Sequence, residues 1–208
     1  MANNYGTEQE EFWAGEFGDH YIERNHGKSL IAANVAFFRQ VLARTHSVRS
    51  VIEFGANIGM NMEAIRILLP EVELAAIEIN AKAAEVLQKR GNIEVHQQSI
   101  LDFTPRRNFD LALIKGVLIH MNPDVLPKVY DLLHQSSARY ICVAEYYNPS
   151  PTEVLYRGNE GKLFKRDFAG EMLDRFPGLR LIDYGFLYHR DSNFPHDDIT
   201  WFLLEKTF

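Results

Sequence analysis

The chain has 208 residues, enough for one α/β domain with a full-sized core, and 46% of them are hydrophobic. Its formal net charge of −6 argues against nucleic acid, whose binding depends on Lys and Arg contacts to phosphates. No apolar run reaches the roughly 18 residues of a membrane helix, and the acidic start lacks the features of a secretory signal. We therefore predict a cytoplasmic protein whose partner is a small-molecule substrate, with no nucleic acid and no membrane partner. The sequence does not indicate an oligomeric state.

Cysteine and histidine give no sign of a disulfide or of a metal site. The single cysteine, Cys142, lies in an apolar run and has no partner for an internal disulfide, so we predict that it is a core residue. The eight histidines are scattered without the close spacings of metal ligands. No metal is predicted.

Residues 1–47 are predicted to form a helical cap. The stretch Thr7–Glu10 has the form of a capping box, which favours a short helix that Gly15 and Gly18 would end. From Ser29 to Arg44 the apolar residues fall near one helical face, which predicts a long amphipathic helix ahead of the sheet.

Residues 48–145 predict alternating strands and helices, with Pro and Gly marking several of the boundaries. The predicted strands are Ser50–Phe54, Val72–Ile77, Ile93–Gln97, Phe109–Ile114 and Arg139–Ala144, and the predicted helices are Met60–Leu69, Ala81–Arg90 and Val125–Gln135. Parallel strands joined by right-handed crossovers have helices on both faces of the sheet. The predicted fold class is therefore α/β, with a Rossmann-like doubly wound sheet.

The rest of the chain predicts a loop, a helix and a hairpin. Residues 146–166 are rich in Pro, Gly, Tyr and basic residues and exceed an ordinary connection in length, which is typical of a functional loop. In residues 167–208, a helix at Asp167–Arg175 precedes two β-prone runs, Leu179–Tyr188 and Ile199–Lys206. All 208 residues are assigned to a single domain.

A glycine turn follows the first predicted strand. Gly55 and Gly59 lie where that strand passes into a helix, and Glu78 follows the second strand. An acid about 20 residues past such a turn accepts hydrogen bonds from ribose hydroxyls, so we predict a nucleoside-containing ligand. The spacing that holds a pyrophosphate is absent, and Glu53 suits an ammonium group better. A dinucleotide oxidoreductase and a non-catalytic nucleoside-binding domain remain alternatives.

In order and spacing, Val51–Gly59, Glu78 and Phe109–Gly116 resemble the motifs of class I methyltransferases. The resemblance covers about residues 48–145. It implies a seven-stranded sheet with its last strand antiparallel, S-adenosyl-L-methionine as cofactor and methyl transfer as the activity.

The resemblance also implies which residues hold the cofactor. Glu53 and Gly55 would contact its methionine part and Glu78 its ribose. Ser99 and Ile100 would flank its adenine, and Lys115 and Gly116 would line the methionine side. Many relatives have an acid for the adenine amino group where this chain has Gln98–Ile100. With aromatic and basic residues of the cap included, the predicted cofactor-binding residues are Trp13, Tyr21, Arg24, Glu53, Phe54, Gly55, Ala56, Asn57, Gly59, Glu78, Ile79, Ser99, Ile100, Lys115 and Gly116.

A narrower resemblance runs nearly from end to end. The segments Thr7–Gly18, Gly116–His120, Glu145–Pro149, Tyr156–Gly158 and Tyr188–Asp191 are similar to the methylases associated with pseudaminic acid biosynthesis. This resemblance implies methylation, at O or N, of a nonulosonic acid sugar or a relative. Another small metabolite is the alternative acceptor.

Tyrosines and basic residues of the loop suit a carboxylate or phosphate carried on a sugar body. The predicted substrate-binding residues are Tyr146, Tyr147, Tyr156, Arg157, Lys165, Arg166, Tyr188 and His189. A solvated basic loop is the alternative. His120, after the fourth strand, is the candidate general base, because a neutral imidazole suits that task, although it can equally be a structural histidine.

Overall fold

Three helices form the N-terminal cap in the computed structural model, which describes residues 5–24 and 27–207. They are α1 (Glu8–Ala14), α2 (Glu16–Arg24) and α3 (Lys28–Leu42). Thr7 caps α1 by accepting a hydrogen bond from the Glu10 backbone N–H, as predicted. Gly15 ends α1, but the prediction that Gly18 ends a helix is wrong, because Gly18 lies inside α2. A Cβ there would collide with the Trp13 carbonyl oxygen, so the packing of α2 on α1 requires glycine.

Five parallel strands form the centre of the main sheet. They are β1 (Ser50–Phe54), β2 (Glu73–Glu78), β3 (Ile93–Gln97), β4 (Phe109–Lys115) and β5 (Ser137–Glu145). The helices between them are α4 (Met60–Leu68), α5 (Ala81–Lys89) and α6 (Leu126–Ser136). Of the helices in the described ranges, none is both long enough and apolar enough to cross a membrane.

The C-terminal elements complete the sheet. Within the segment 146–166, β6 (Thr152–Glu153) and β7 (Phe164–Lys165) pair as a short ribbon, which the sequence did not predict. After α7 (Phe168–Arg175), β8 (Leu179–Leu187) and β9 (Ile199–Lys206) extend the sheet to the order β3-β2-β1-β4-β5-β9-β8, with β9 antiparallel to both neighbours. The predicted α/β fold, a Rossmann-like doubly wound sheet of seven strands with the last one antiparallel, is confirmed.

The sheet has an apolar core on each face, because its central strands are covered by helices on both sides. Phe54 and Ile114 belong to one core, whereas Leu113 and Cys142 belong to the other. Burial of Cys142 was predicted and is confirmed. Polar side chains of β1, β2, β4 and β5 are therefore concentrated at the strand ends, where the chain leaves the core.

Candidate functional site

A cavity of about 640 Å³ opens at the carboxyl ends of the parallel strands. This is the edge at which doubly wound sheets bind ligands, and the volume lies within the roughly 300–1,000 Å³ of small-molecule sites. Trp13 and Tyr21 of the cap line the cavity together with Tyr146 and Tyr156 of the 146–166 segment. The cap and this segment are thus brought together over the strand ends.

Most of the predicted residues line this cavity. From the cofactor set these are Trp13, Tyr21, Gly55, Ala56, Asn57, Glu78, Ile79, Ser99, Ile100, Lys115 and Gly116, and from the other sets they are His120, Tyr146, Tyr156, Arg157 and His189. The Arg24 side chain lies outside the described part of the chain, so its predicted contact stays a prediction. Glu53 is buried and does not line the cavity itself, but it lies next to Asn61 and Gly55, which do.

Six predicted residues lie away from the cavity, namely Phe54, Gly59, Tyr147, Lys165, Arg166 and Tyr188. Phe54 is a core residue, and Gly59 packs against the Leu87 side chain of α5. The Arg166 guanidinium pairs with Glu171 at 2.7 Å, and the Lys165 ammonium lies over the Tyr146 ring. Tyr147 and Tyr188 are exposed at the surface. Of the three loop cations in the substrate set, only Arg157 lines the cavity.

The turn after β1 is anchored to the end of β2. The backbone N–H groups of Gly55 and Ala56 donate to the Ile77 carbonyl at 2.9 and 3.1 Å. The Asn57 N–H donates to the Glu78 carboxylate at 2.6 Å. Gly55 has a φ of 76°, a conformation that side chains rarely tolerate. Glu78 therefore holds the turn and lines the cavity at the same time.

Gly55 lines the cavity with its backbone, but the position that a side chain would take at Gly55 is already occupied by Val117. A Cβ at Gly55 would lie 2.6 Å from Val117 Cγ2. We expect Gly55→Ala to lower the free energy of unfolding by roughly 1–3 kcal/mol, and Val117→Ala to recover part of this loss in the double variant. Urea unfolding of the two single variants and the double variant measures the coupling. If the losses of the two single variants add up in the double variant, the positive φ of Gly55 requires glycine and the contact with Val117 does not.

Glu53 is fully buried near the end of β1, and only one of its two carboxyl oxygens has a hydrogen-bond partner among the described residues. Its Oε1 accepts a hydrogen bond from Asn61 Nδ2 at 2.5 Å, whereas its Oε2 has no partner within the described residues. Burial raises the pKa of Glu53 to about 8, against the opposing effects of Asn61 and Lys115. A buried carboxylate oxygen without a partner is costly, so this position favours a ligand that brings a positive or hydrogen-bond-donating group.

The raised pKa of Glu53 makes stability depend on pH. Because the pKa of this carboxyl is about 8 in the folded chain and has its ordinary value of 4.5 in the unfolded chain, its contribution to folding is full below pH 4.5 and is lost progressively as the pH rises through about 8. We expect Glu53→Gln, which keeps an acceptor for Asn61, to be close to wild type near pH 5 and more stable by at least about 1 kcal/mol above pH 8. Urea unfolding of both proteins over this range gives the difference. A difference that does not change with pH would refute the raised pKa.

His120 lines the cavity from the turn that follows β4. Its Nδ1 lies 2.7 Å from the Lys162 carbonyl oxygen, which only accepts, so Nδ1 carries the proton and Nε2 keeps its lone pair. Burial lowers the pKa of His120 to about 4, so the ring is neutral near pH 7. The rings of Trp13 and Tyr156 pack on it, each with its centroid 4.7 Å away. The side chain is thus a neutral imidazole with one free acceptor nitrogen.

Glu145, at the end of β5, positions the turn that carries His120, and no role was predicted for it from the sequence. Its buried carboxylate accepts hydrogen bonds from the backbone N–H groups of Val117 and Leu118 at 2.9 and 3.0 Å. Burial raises the pKa of Glu145 to about 7, although these hydrogen bonds favour the carboxylate. An acid directly after a buried apolar run was the available signal, because such a strand ends at the ligand edge of the sheet.

In the turn between β8 and β9 the sequence predicted only Tyr188 and His189, and further cavity residues of this turn and of α3 were missed. Asn34 and His196 line the cavity, and their Oδ1 and Nε2 atoms are buried without a hydrogen-bond partner among the described residues. Asp197 lines it as well, and its carboxylate, together with burial, raises the pKa of the Tyr146 hydroxyl. Burial lowers the pKa of Lys115, and the negative charges of Glu53 and Asp197 oppose this shift in part. No local motif links residues so far apart in sequence.

The chain resembles S-adenosylmethionine-dependent methyltransferases in three dimensions. With a 1,6-didemethyltoxoflavin-N1-methyltransferase of Burkholderia thailandensis it shares a TM-score of 0.69 and 12% identity, over 100% of this chain and 94% of that chain. With a methyltransferase of Leishmania major the TM-score is 0.72 and the identity 15%, over 94% and 81%. With the magnesium protoporphyrin IX methyltransferase of Synechocystis PCC 6803, crystallised with S-adenosylmethionine, the values are 0.65 and 12%, over 99% and 100%.

Neither a protein-family model nor a curated protein sequence matches the chain. At 12–15% identity, the similarity to the three solved structures establishes the fold. The protein therefore has the Rossmann-like fold of class I methyltransferases, with its candidate site at the ligand edge of the sheet.

Proposed function

We propose that the protein is a methyltransferase that uses S-adenosyl-L-methionine. The observation that carries this proposal is the placement of two carboxylates at the ends of the adjacent strands β1 and β2. The unpartnered Oε2 of Glu53 suits the ammonium of the methionine part, and Glu78, which lines the cavity, suits ribose hydroxyls. Similar folds have been crystallised with S-adenosylmethionine or S-adenosylhomocysteine bound, which supports the same ligand here.

Calorimetry with S-adenosylhomocysteine and NAD tests this proposal against a dinucleotide enzyme. We expect S-adenosylhomocysteine to bind and NAD not to bind, because the turn after β1 lacks the glycine spacing that holds a pyrophosphate. Binding of NAD alone, or of neither ligand, would contradict the proposal. Transfer of a labelled methyl group from S-adenosylmethionine to an acceptor then separates an enzyme from a non-catalytic domain.

We further propose a small anionic acceptor of the nonulosonic acid type. Arg157 supplies positive charge at the cavity, Lys115 adds a second basic group, and Tyr146 and Tyr156 supply aromatic surface for a sugar body. Among the described residues, Asn34 Oδ1 and His196 Nε2 have no partner, and they suit hydroxyl or amino groups of such a molecule, Oδ1 as an acceptor and Nε2 in the role that its tautomer gives it. Because Lys165 and Arg166 lie away from the cavity, the anion depends on fewer cations than the loop sequence suggests. Another small polar metabolite remains the alternative acceptor.

When bound, S-adenosylmethionine supplies an electrophilic methyl group. The residues of the chain hold the acceptor next to the donor and exclude water, which is the main requirement for an in-line displacement. The rings of Trp13 and Tyr156 pack against His120. For a hydroxyl acceptor, Nε2 of His120 accepts the hydroxyl proton as the oxygen is methylated.

Substitution of Arg157 tests whether the acceptor is an anion. It is exposed at the cavity, with its guanidinium 5.9 Å from the centroid of the Tyr156 ring. We expect Arg157→Ala to lower kcat/KM for an acidic acceptor by about tenfold, with little change in the affinity for S-adenosylhomocysteine. Arg190→Ala is the control, because Arg190 is exposed but does not line the cavity. Equal kinetics of Arg157→Ala and wild type with the free and the esterified acceptor would exclude an anion contact at this residue.

A further inference from the structure

Glu10 brings a carboxylate from the cap to the carboxyl end of β3. It lies on α1, is only 8% exposed and lines the cavity. Its Oε1 accepts a hydrogen bond from the hydroxyl of Ser99, the second residue after β3, and its Oε2 accepts one from the Thr7 hydroxyl at 3.0 Å. The capping motif at Thr7 thus directs its acidic member into the cavity.

The hydroxyls around Glu10 leave this corner rich in acceptors. The Ser99 hydroxyl oxygen already accepts from the Leu101 N–H at 3.0 Å, and the Thr7 hydroxyl oxygen accepts from the Glu10 N–H at 3.2 Å. Each hydroxyl proton is therefore directed to the carboxylate. A carboxylate only accepts, and each of its oxygens has a second lone pair. The matching ligand group is an N–H donor.

The strand order indicates which part of the ligand reaches this corner. Glu78 ends β2, and β3 is the next strand outward and the edge of the sheet. If the ribose lies at Glu78 and the methionine part at Glu53 on the β1 side, the base extends in the opposite direction, toward β3. Ile79 and Ile100, which follow these two strands, line the cavity there and offer apolar surface to a flat ring.

We propose that the Glu10 carboxylate accepts a hydrogen bond from the 6-amino group of adenine. This inference rests on the proposed use of S-adenosylmethionine. The segment Gln98–Ile100 contains no acid, and the cap helix supplies one at the same place. The cap is then part of the cofactor site and selects for a base with an amino group.

Two ligands and three proteins test the proposal. S-adenosylhomocysteine and S-inosylhomocysteine differ on one edge of the base, where the 6-amino group is replaced by a carbonyl oxygen that repels a carboxylate and the neighbouring N1 gains a hydrogen. We expect wild type to prefer S-adenosylhomocysteine by at least roughly tenfold in Kd, because an acceptor facing an acceptor leaves a buried group unsatisfied. In Glu10→Gln this ratio of Kd values should fall by roughly tenfold or more, since the side-chain amide N–H can donate to the carbonyl oxygen at position 6 of S-inosylhomocysteine. Glu11→Gln, an exposed change on the same helix, should keep the wild-type preference.

The possible results separate this proposal from the broader one. Equal affinity of wild type for the two ligands would overturn the role of Glu10 without any variant being needed. If Glu10→Gln keeps the wild-type preference, or weakens the binding of both ligands equally, Glu10 only links α1 to Ser99 and does not contact the base. If wild type binds neither ligand, the proposed function itself fails. Thermal unfolding of each variant establishes that the proteins compared are folded.

Discussion

Replacing His120 by asparagine is expected to lower kcat for a hydroxyl acceptor by a factor of roughly 10² to 10⁴, while the Kd of S-adenosylhomocysteine changes by less than about threefold. The side chain of asparagine can keep the hydrogen bond that Nδ1 donates to the Lys162 carbonyl, but it has no basic nitrogen in place of Nε2, because an amide oxygen does not take up a proton near neutral pH. The variant therefore removes the proposed base and retains its anchor. Single-turnover kinetics with a saturating donor measure the change in the chemical step.

The pH dependence provides a second measurement on His120. Because its pKa is lowered to about 4, the neutral, active form should persist until the pH falls toward 4. An unperturbed histidine would instead lose activity near pH 6.5. His120→Ala, which removes anchor and acceptor together, is the comparison. If His120→Asn keeps wild-type kcat while His120→Ala loses it, His120 acts only as a positioning residue between the cap and the 146–166 segment.

Glu78→Ala is expected to weaken S-adenosylhomocysteine binding by at least roughly a hundredfold. Both carboxylate oxygens already accept backbone N–H groups, from Asn57 at 2.6 Å and from Asn80 at 2.8 Å. Their remaining lone pairs are available to ribose hydroxyls. The substitution therefore removes direct contacts to the ligand and also loosens the turn after β1. Since each hydrogen bond to a charged group contributes about 1.5–3 kcal/mol, two of them account for a loss of this size.

A matched change at the other end of the same strand controls for damage to β2. Glu73 begins β2, is exposed and pairs with Arg107 at 2.6 Å, far from the ligand edge. Glu73→Ala should leave the Kd of S-adenosylhomocysteine unchanged in calorimetry. Glu78→Gln, which keeps an acceptor for one backbone N–H, should lie between wild type and Glu78→Ala. Wild-type affinity in a folded Glu78→Ala protein would exclude Glu78 from the ribose site.

The fold was predictable because its signals are local. Apolar β-prone runs alternate with amphipathic helical runs between Ser50 and Glu145, and glycine or proline marks several boundaries. Sequence order alone then implies parallel strands with helices on both faces. Because strands of such a sheet end at one edge, Gly55 and Glu78 could be assigned to a single site before any contact was known. The helix α2 was missed, because the sequence predicted that Gly18 ends a helix, whereas it lies inside one.

Only the tertiary structure decided which polar groups are free to bind a ligand. By sequence, Arg166 and Arg157 are equivalent loop cations, but a hydrogen-bonded ion pair with Glu171 occupies Arg166. Glu10 is an ordinary capping residue until the cap places it against Ser99, which lies 89 positions away in the chain. Local sequence determines backbone propensity and periodic burial, whereas the state of a polar group depends on which distant donor or acceptor packs beside it. The residues that face the ligand edge are therefore largely a result of tertiary packing.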